Sequence, residues 1–95
     1  MTAFLILDLK ILDFTLFTEY IEKVPAFIRK HGGRYRVQGA EPEVMEGDWS
    51  PERIVVLEFA SKDAAKGFLA DPDFQPLLAV RHRATRSNLI LVEGC

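Results

Sequence analysis

The sequence is poor in the residues that usually announce a chemistry. Its single cysteine, Cys95, is the last of 95 residues, so neither an internal disulfide nor a multi-cysteine metal site can form. Only two histidines occur, His31 and His82, and their separation matches no ligand spacing, so no metal and no other cofactor is expected. No apolar run approaches the roughly 18 residues a membrane span needs. Ala3 to Leu12 is apolar, but Asp8 and Lys10 interrupt it, and no basic segment precedes it as in a secretion signal. An excess of one charge is missing too. Twelve Lys and Arg against 14 Asp and Glu give a net charge of −2, which leaves no basic footprint for nucleic acid or acidic lipid. There is no Gly-rich phosphate loop, no Ser-His-Asp arrangement, no repeat and no linker. The lack of disulfides fits a reducing compartment, and a cytoplasmic protein is expected.

What remains is a chain for one domain, residues 1–95, with 48% hydrophobic residues. A domain this short buries only about 60–65% of its unfolded surface, so surplus apolar residues suggest burial against a partner. The first segment alternates, with Leu5, Leu7, Leu9 and Ile11 on one face and Phe4, Ile6, Asp8 and Lys10 on the other, which predicts a strand. Asp13, with Thr15 as rival cap, opens a helix whose inner face is Leu16, Phe17, Tyr20, Val24, Phe27 and Ile28. Pro25 should kink it, and His31-Gly32-Gly33 should end it. Arg34 to Ala40 alternates again, placing Tyr35 and Val37 on one face and Arg34, Arg36 and Gln38 on the other. Pro42 interrupts the run, and Glu43 to Gly47 is a candidate continuation of it. Asp48-Trp49-Ser50-Pro51 is a turn, and Ile54 to Phe59 is the best central strand. Ser61 caps a short helix stopped by Asp71-Pro72. Asp73 is expected to cap a further helix carrying Phe74, Leu77, Leu78 and Arg81, and Leu89 to Val92 forms the last strand.

The order is β-α-β-β-α-β with a broken second helix. Right-handed crossovers then give an α+β fold, a four-stranded antiparallel sheet with its helices on one face. The other face, with Phe4, Ile6, Ile54 and Val56, is left bare and apolar. Pairing two such faces about a twofold axis would cover it, so a homodimer through the sheet is expected.

The stretches Gly32-Gly33-Arg34-Tyr35, Glu46 to Arg53, Val56-Leu57-Glu58-Phe59, Asp73 to Leu78 with Arg81, and Leu91 to Gly94 occur together in order. In these the chain resembles the bacterial family catalogued as domain of unknown function 1330, within the dimeric α/β-barrel superfamily. The resemblance implies a ferredoxin-like βαββαβ subunit and a homodimer, and no particular function, since the superfamily spans cofactor-independent monooxygenases, isomerases and haem-degrading enzymes. Phe4 departs from it, standing where a tyrosine is more usual.

Five residues are candidates for a site. Arg81 follows Leu77 and Leu78 at helical spacing and points inward, where a guanidinium needs an anion. It is either a clamp for a ligand carboxylate or the partner of Glu46, Glu58 or Asp8. Glu46, beside Gly47, is a candidate general base, as is His31, although the helix dipole alone accounts for His31 at a helix C-terminus. Tyr35 and Trp49 are candidates to line a cleft between sheet and helices, with packing across the dimer as the alternative for Trp49. Tyr20 reads as core. Asp8 and Glu58 are expected on the bare face, either sharing a proton or each meeting a cation or water. Two functional readings follow. One is a small-molecule binder for a carboxylate or aromatic metabolite, whose chemistry, if any, is cofactor-independent acid/base or oxygenase-type. The other is an interaction module with a filled core. A cavity of about 300 Å³ or more near Arg81 separates the two.

Overall fold

The computed structural model describes residues 1–95. Seven elements follow one another: β1 (Ala3–Ile11), α1 (Phe14–Lys30), β2 (Arg34–Ala40), β3 (Arg53–Phe59), α2 (Lys62–Ala70), α3 (Gln75–Ala84) and β4 (Thr85–Glu93). The strands form one antiparallel sheet in the order β2-β3-β1-β4. The Cα trace measures 35 × 33 × 16 Å. The short dimension accommodates two layers, the sheet and its helices, so one sheet face carries no helix.

Local chemistry explains the element ends. Asp13 caps α1 by accepting from the Leu16 amide at 3.0 Å, and Ser61 caps α2 by accepting from Ala64 at 3.0 Å. The α1 helix runs through Pro25 as one element, with Phe17, Tyr20, Val24 and Ile28 buried. At its end Gly32 takes φ +74° and donates to Arg29 O, while Gly33 donates to Ile28 O. This pair of bonds is the Schellman closure that glycine makes available. Gly33 is required for a second reason: a Cβ there would lie 2.5 Å from the buried Phe59 ring.

Four expectations are corrected. Asp73 does not cap α3. That helix starts at Phe74 without a side-chain cap, and the turn is built by Asp71, whose carboxylate accepts from the Asp73 amide and whose carbonyl accepts from Phe74. Strand β4 begins at Thr85, four residues before Leu89, because the polar run Thr85-Arg86-Ser87-Asn88 pairs by backbone with the end of β1. In β2 the pairing slips between Tyr35 and Val37, so a bulge at Arg36 places Val37 opposite Val56 on the open face and Gln38 opposite Val55 on the helix face. Glu43 to Gly47 adds no strand.

The helix face of the sheet carries Leu5, Leu7, Leu9, Leu57 and Phe59, all buried. They meet an aromatic cluster in which Phe74 lies 4.6 Å from Phe68 and 5.4 Å from Phe27, centroid to centroid. Across the sheet, Phe4, Ile6, Val37, Ile54 and Val56 are half-buried and Ile90 and Val92 exposed.

The carboxylate of Asp71 fastens the C-terminus of α1 to the α2–α3 corner. Its Oδ2 lies 2.8 Å from both Lys30 Nζ and His31 Nε2. The Lys30 bond, then that of His31, holds the Asp71 carboxyl far below the usual range. A carboxyl whose pKa falls on folding stabilises the native state above its unfolded value of about 3.9 and loses that contribution as pH falls. Acidification from pH 5 to pH 3 is therefore expected to lower the thermal midpoint of the wild type more steeply than that of Asp71→Asn. Thermal melts followed by circular dichroism check this, and parallel pH profiles would contradict it.

Candidate ligand-binding cavity

Between the sheet and the helices lies a cavity of about 390 Å³. Of its 22 lining residues 18 are hydrophobic, and the remainder are Gln38, Gly39, Arg53 and Arg81. No carboxylate, imidazole or lysine lines it. Alternate residues of β1 and β3 form the floor. The inner faces of α1 and α3 form the roof, and two irregularities in β2, at Arg36 and at Gly39, bring Gln38 and Gly39 to its edge. There Arg53 Nη1 donates to Gly39 O at 3.1 Å.

Arg81 is 4% exposed, and its Nε is the one buried side-chain nitrogen or oxygen without a hydrogen-bond partner. Helical spacing from Leu77 turns it inward, and its guanidinium carbon sits 5.9 Å from the centroid of the Tyr20 ring. No acid answers it. The ion pairs of the chain belong to Lys10, Lys23, Lys30, His31, Arg34 and Arg36. Burial pulls the Arg81 pKa down from its usual value, with Tyr20 opposing. Burial pushes the Tyr20 phenol up to about 12, partly offset by the Arg81 charge and reinforced by Tyr35. Burial also raises Tyr35. Both phenols are therefore neutral donors at pH 7.

The structure brings Arg81 and Tyr35 together on this cavity and places the other three candidates elsewhere. Glu46 is exposed in the segment between β2 and β3. His31 packs edge-on to Phe68 and bonds Asp71, at the far end of α1 from its N-cap. Trp49, 63% exposed, crosses the open face and donates to Asp8 Oδ2 at 2.9 Å. With Ile6, Asn88 and Ile90 it frames a separate hollow of about 160 Å³. The grouping of Glu46 and Trp49 with Arg81 is thus corrected: the loop after β2 folds toward the side of the sheet opposite the helices.

The salt-bridge alternatives for Arg81 do not form either. Glu58 is held by Arg36 at 2.8 Å and Arg34 at 2.9 Å, which keep its pKa low. Asp8 and Glu58 share the open face but not a proton, since Asp8 pairs with Ile54 and Glu58 with Phe4. Four residues of strand, about 13 Å, separate them. Tyr20, read from sequence as core, is buried in the core cluster and also lines the cavity. Its place on the inner stripe of α1 was visible, its nearness to Arg81 was not.

Sheet order, helix placement and cavity together define a ferredoxin-like α+β domain with a chamber between its two layers. The chain belongs to the family described as "Domain of unknown function (DUF1330)", whose profile matches residues 2–95. None of the curated proteins matches it significantly. Among solved structures it is similar to a protein of unknown function from Rhodopseudomonas palustris, with TM-score 0.81 and 16% identity over 99% of this chain and 82% of that one. It is similar to SnoaB, a cofactor-independent oxygenase from Streptomyces nogalater, with TM-score 0.71 and 17% identity over 99% and 93%. A dimeric ferredoxin-like protein of unknown function from Jannaschia sp. aligns with TM-score 0.75 and 10% identity over 99% and 100%. At these identities the likeness is one of fold. No helix is long and apolar enough to cross a membrane.

Proposed function

We propose that the protein is a homodimer, paired through its open sheet face, that binds one small carboxylate or aromatic metabolite per subunit in the sheet–helix cavity. The observation that carries the ligand reading is a chamber of about 390 Å³ with a buried, unpaired guanidinium in its wall. An apolar pocket of this size with few polar groups is the usual form of a small-molecule site, and a filled interaction module has no use for it. Arg81 and Tyr35 are the ligand contacts. Binding is proposed rather than proton transfer by Glu46 or His31, because neither lines the cavity. Dimer formation is supported by the half-buried Ile6, Ile54 and Val56 and the exposed Ile90 and Val92 on the face without helices and by proteins of similar fold described as dimeric. An interface above about 1,200 Å² in total is expected.

The test is a thermal-shift screen with small aromatic and aliphatic acids and their neutral analogues. A ligand at 100 times its Kd stabilises by about 2.7 kcal/mol. Val55→Trp, which projects an indole into the chamber from β3, should abolish every shift and leave the oligomeric state intact. A screen in which nothing stabilises the wild type would favour the interaction module.

A further inference from the structure

The cavity has an uneven chemistry, which narrows the ligand class and rests on the binding reading above. Its only buried charge is a cation, and no lining acid neutralises it. Taking a guanidinium out of water without a partner is costly, and such groups are found paired unless a ligand completes them. Arg81 Nε keeps its N–H free, and the Tyr20 ring stacks on the same guanidinium at 5.9 Å. Tyr20, Tyr35 and Arg81 line the same cavity. Neither phenol has a hydrogen-bonding acceptor within the protein, and both remain protonated at neutral pH. A guanidinium and two phenols in one apolar chamber offer hydrogen-bond donors and a positive charge but no anionic acceptor.

We propose that Arg81, Tyr20 and Tyr35 form a carboxylate cradle, and that the ligand is a flat aromatic acid bound as its monoanion. The carboxylate accepts from the guanidinium of Arg81, with the two hydroxyls as additional donors. The ring system lies against the leucine floor and the phenylalanines of the roof. The anion supplies the charge that Arg81 lacks, so the same ring with a neutral amide binds more weakly, and with an ammonium group is rejected. A chamber at the lower end of the range for ligand sites suits one or two fused rings. Tyr20 thereby becomes a binding residue that selects the acid.

The experiment titrates 2-naphthoate, 2-naphthamide and 2-naphthylmethylammonium into the wild type, Tyr20→Phe and Arg81→Met by calorimetry at pH 7. Naphthoate is expected to bind wild type about ten- to a hundredfold more tightly than naphthamide, the range of a charge-assisted hydrogen bond. The ammonium compound should not bind. Tyr20→Phe, which keeps the ring and the fold, should weaken naphthoate several-fold and leave naphthamide unchanged. Arg81→Met should erase the preference between acid and amide. Equal binding of acid and amide by wild type would overturn the cradle while leaving the cavity as a site for neutral aromatics. Equal weakening of both by Tyr20→Phe would also overturn it, since that marks a packing role. Failure of all three probes, together with no stabiliser in the wider screen, would remove the ligand reading itself.

Discussion

Val56→Asp is expected to turn the proposed dimer into a folded monomer. Val56 lies on β3 with its side chain on the open face, flanked by Ile6 on β1 and Val37 on β2 in the pairing register. In a twofold pairing of these faces a carboxylate there is buried without a partner, and it is buried twice. An uncompensated buried charge costs about 3–5 kcal/mol, so the two together raise the dimer Kd by roughly four to seven decades. The core is spared, because Val56 faces away from Leu5, Leu7 and the helices. Light scattering at micromolar concentration should report a dimer for wild type and a monomer for the variant, with unchanged far-UV circular dichroism. A wild type that is already monomeric would remove the premise.

Phe74→Ala is expected to cause a large loss of stability. Phe74 is fully buried where α2 meets α3, and its ring touches three others: Phe68 at 4.6 Å, Phe27 at 5.4 Å and Tyr20 at 6.3 Å. It also lines the cavity, so the neighbours cannot collapse onto the deleted volume without moving the floor and roof of the chamber. Phe→Ala in such surroundings costs about 3–5 kcal/mol. That is a large share of the 5–15 kcal/mol available to a domain, and roughly 12–40 °C in midpoint. Phe14→Ala is the control. Phe14 is 64% exposed at the mouth of the cavity, and its removal should shift stability by no more than about 0.5 kcal/mol. Equal losses in the two variants would contradict this account of the core.

Much of this architecture can be read in the residues, for physical reasons that also explain what cannot. Alternation in Ala3–Ile11 and the 3–4 spacing of Phe17, Tyr20, Val24 and Ile28 report burial directly, because one face of each element is dry. Asp13, Ser61 and Gly32-Gly33 mark ends because local hydrogen bonds fix them. Arg81 was legible as an inward cation for the same reason, its place on an apolar helical stripe. The misses come from interactions that are not local. The shift in β2 is set by pairing with β3. The path of Trp49 depends on Asp8, 41 residues away. The polar start of β4 is a strand because β1 offers it backbone partners as far as Ile11. Glu46 and His31 are residue types that perform catalysis in many proteins, and type alone could not say on which side of the sheet, or at which end of a helix, each would lie.

The bulge at Arg36 has a wider consequence. The two faces of β2 have different surroundings, the helices on one side and the open face of the sheet on the other, and a regular strand would hand them Val37 and Gln38 in the opposite sense. One additional residue in the strand exchanges these two side chains between the faces. It gives the apolar one to the surface that needs adhesion and the amide to the rim of the chamber. Deleting a residue there would therefore alter assembly and ligand preference together, without touching any buried side chain of the core. An edge strand is the position in a sheet where a change of length is most easily absorbed, since only one neighbour must follow it. A gain or loss of one residue at this point would therefore change the rim of the pocket and the open face of the sheet at the same time.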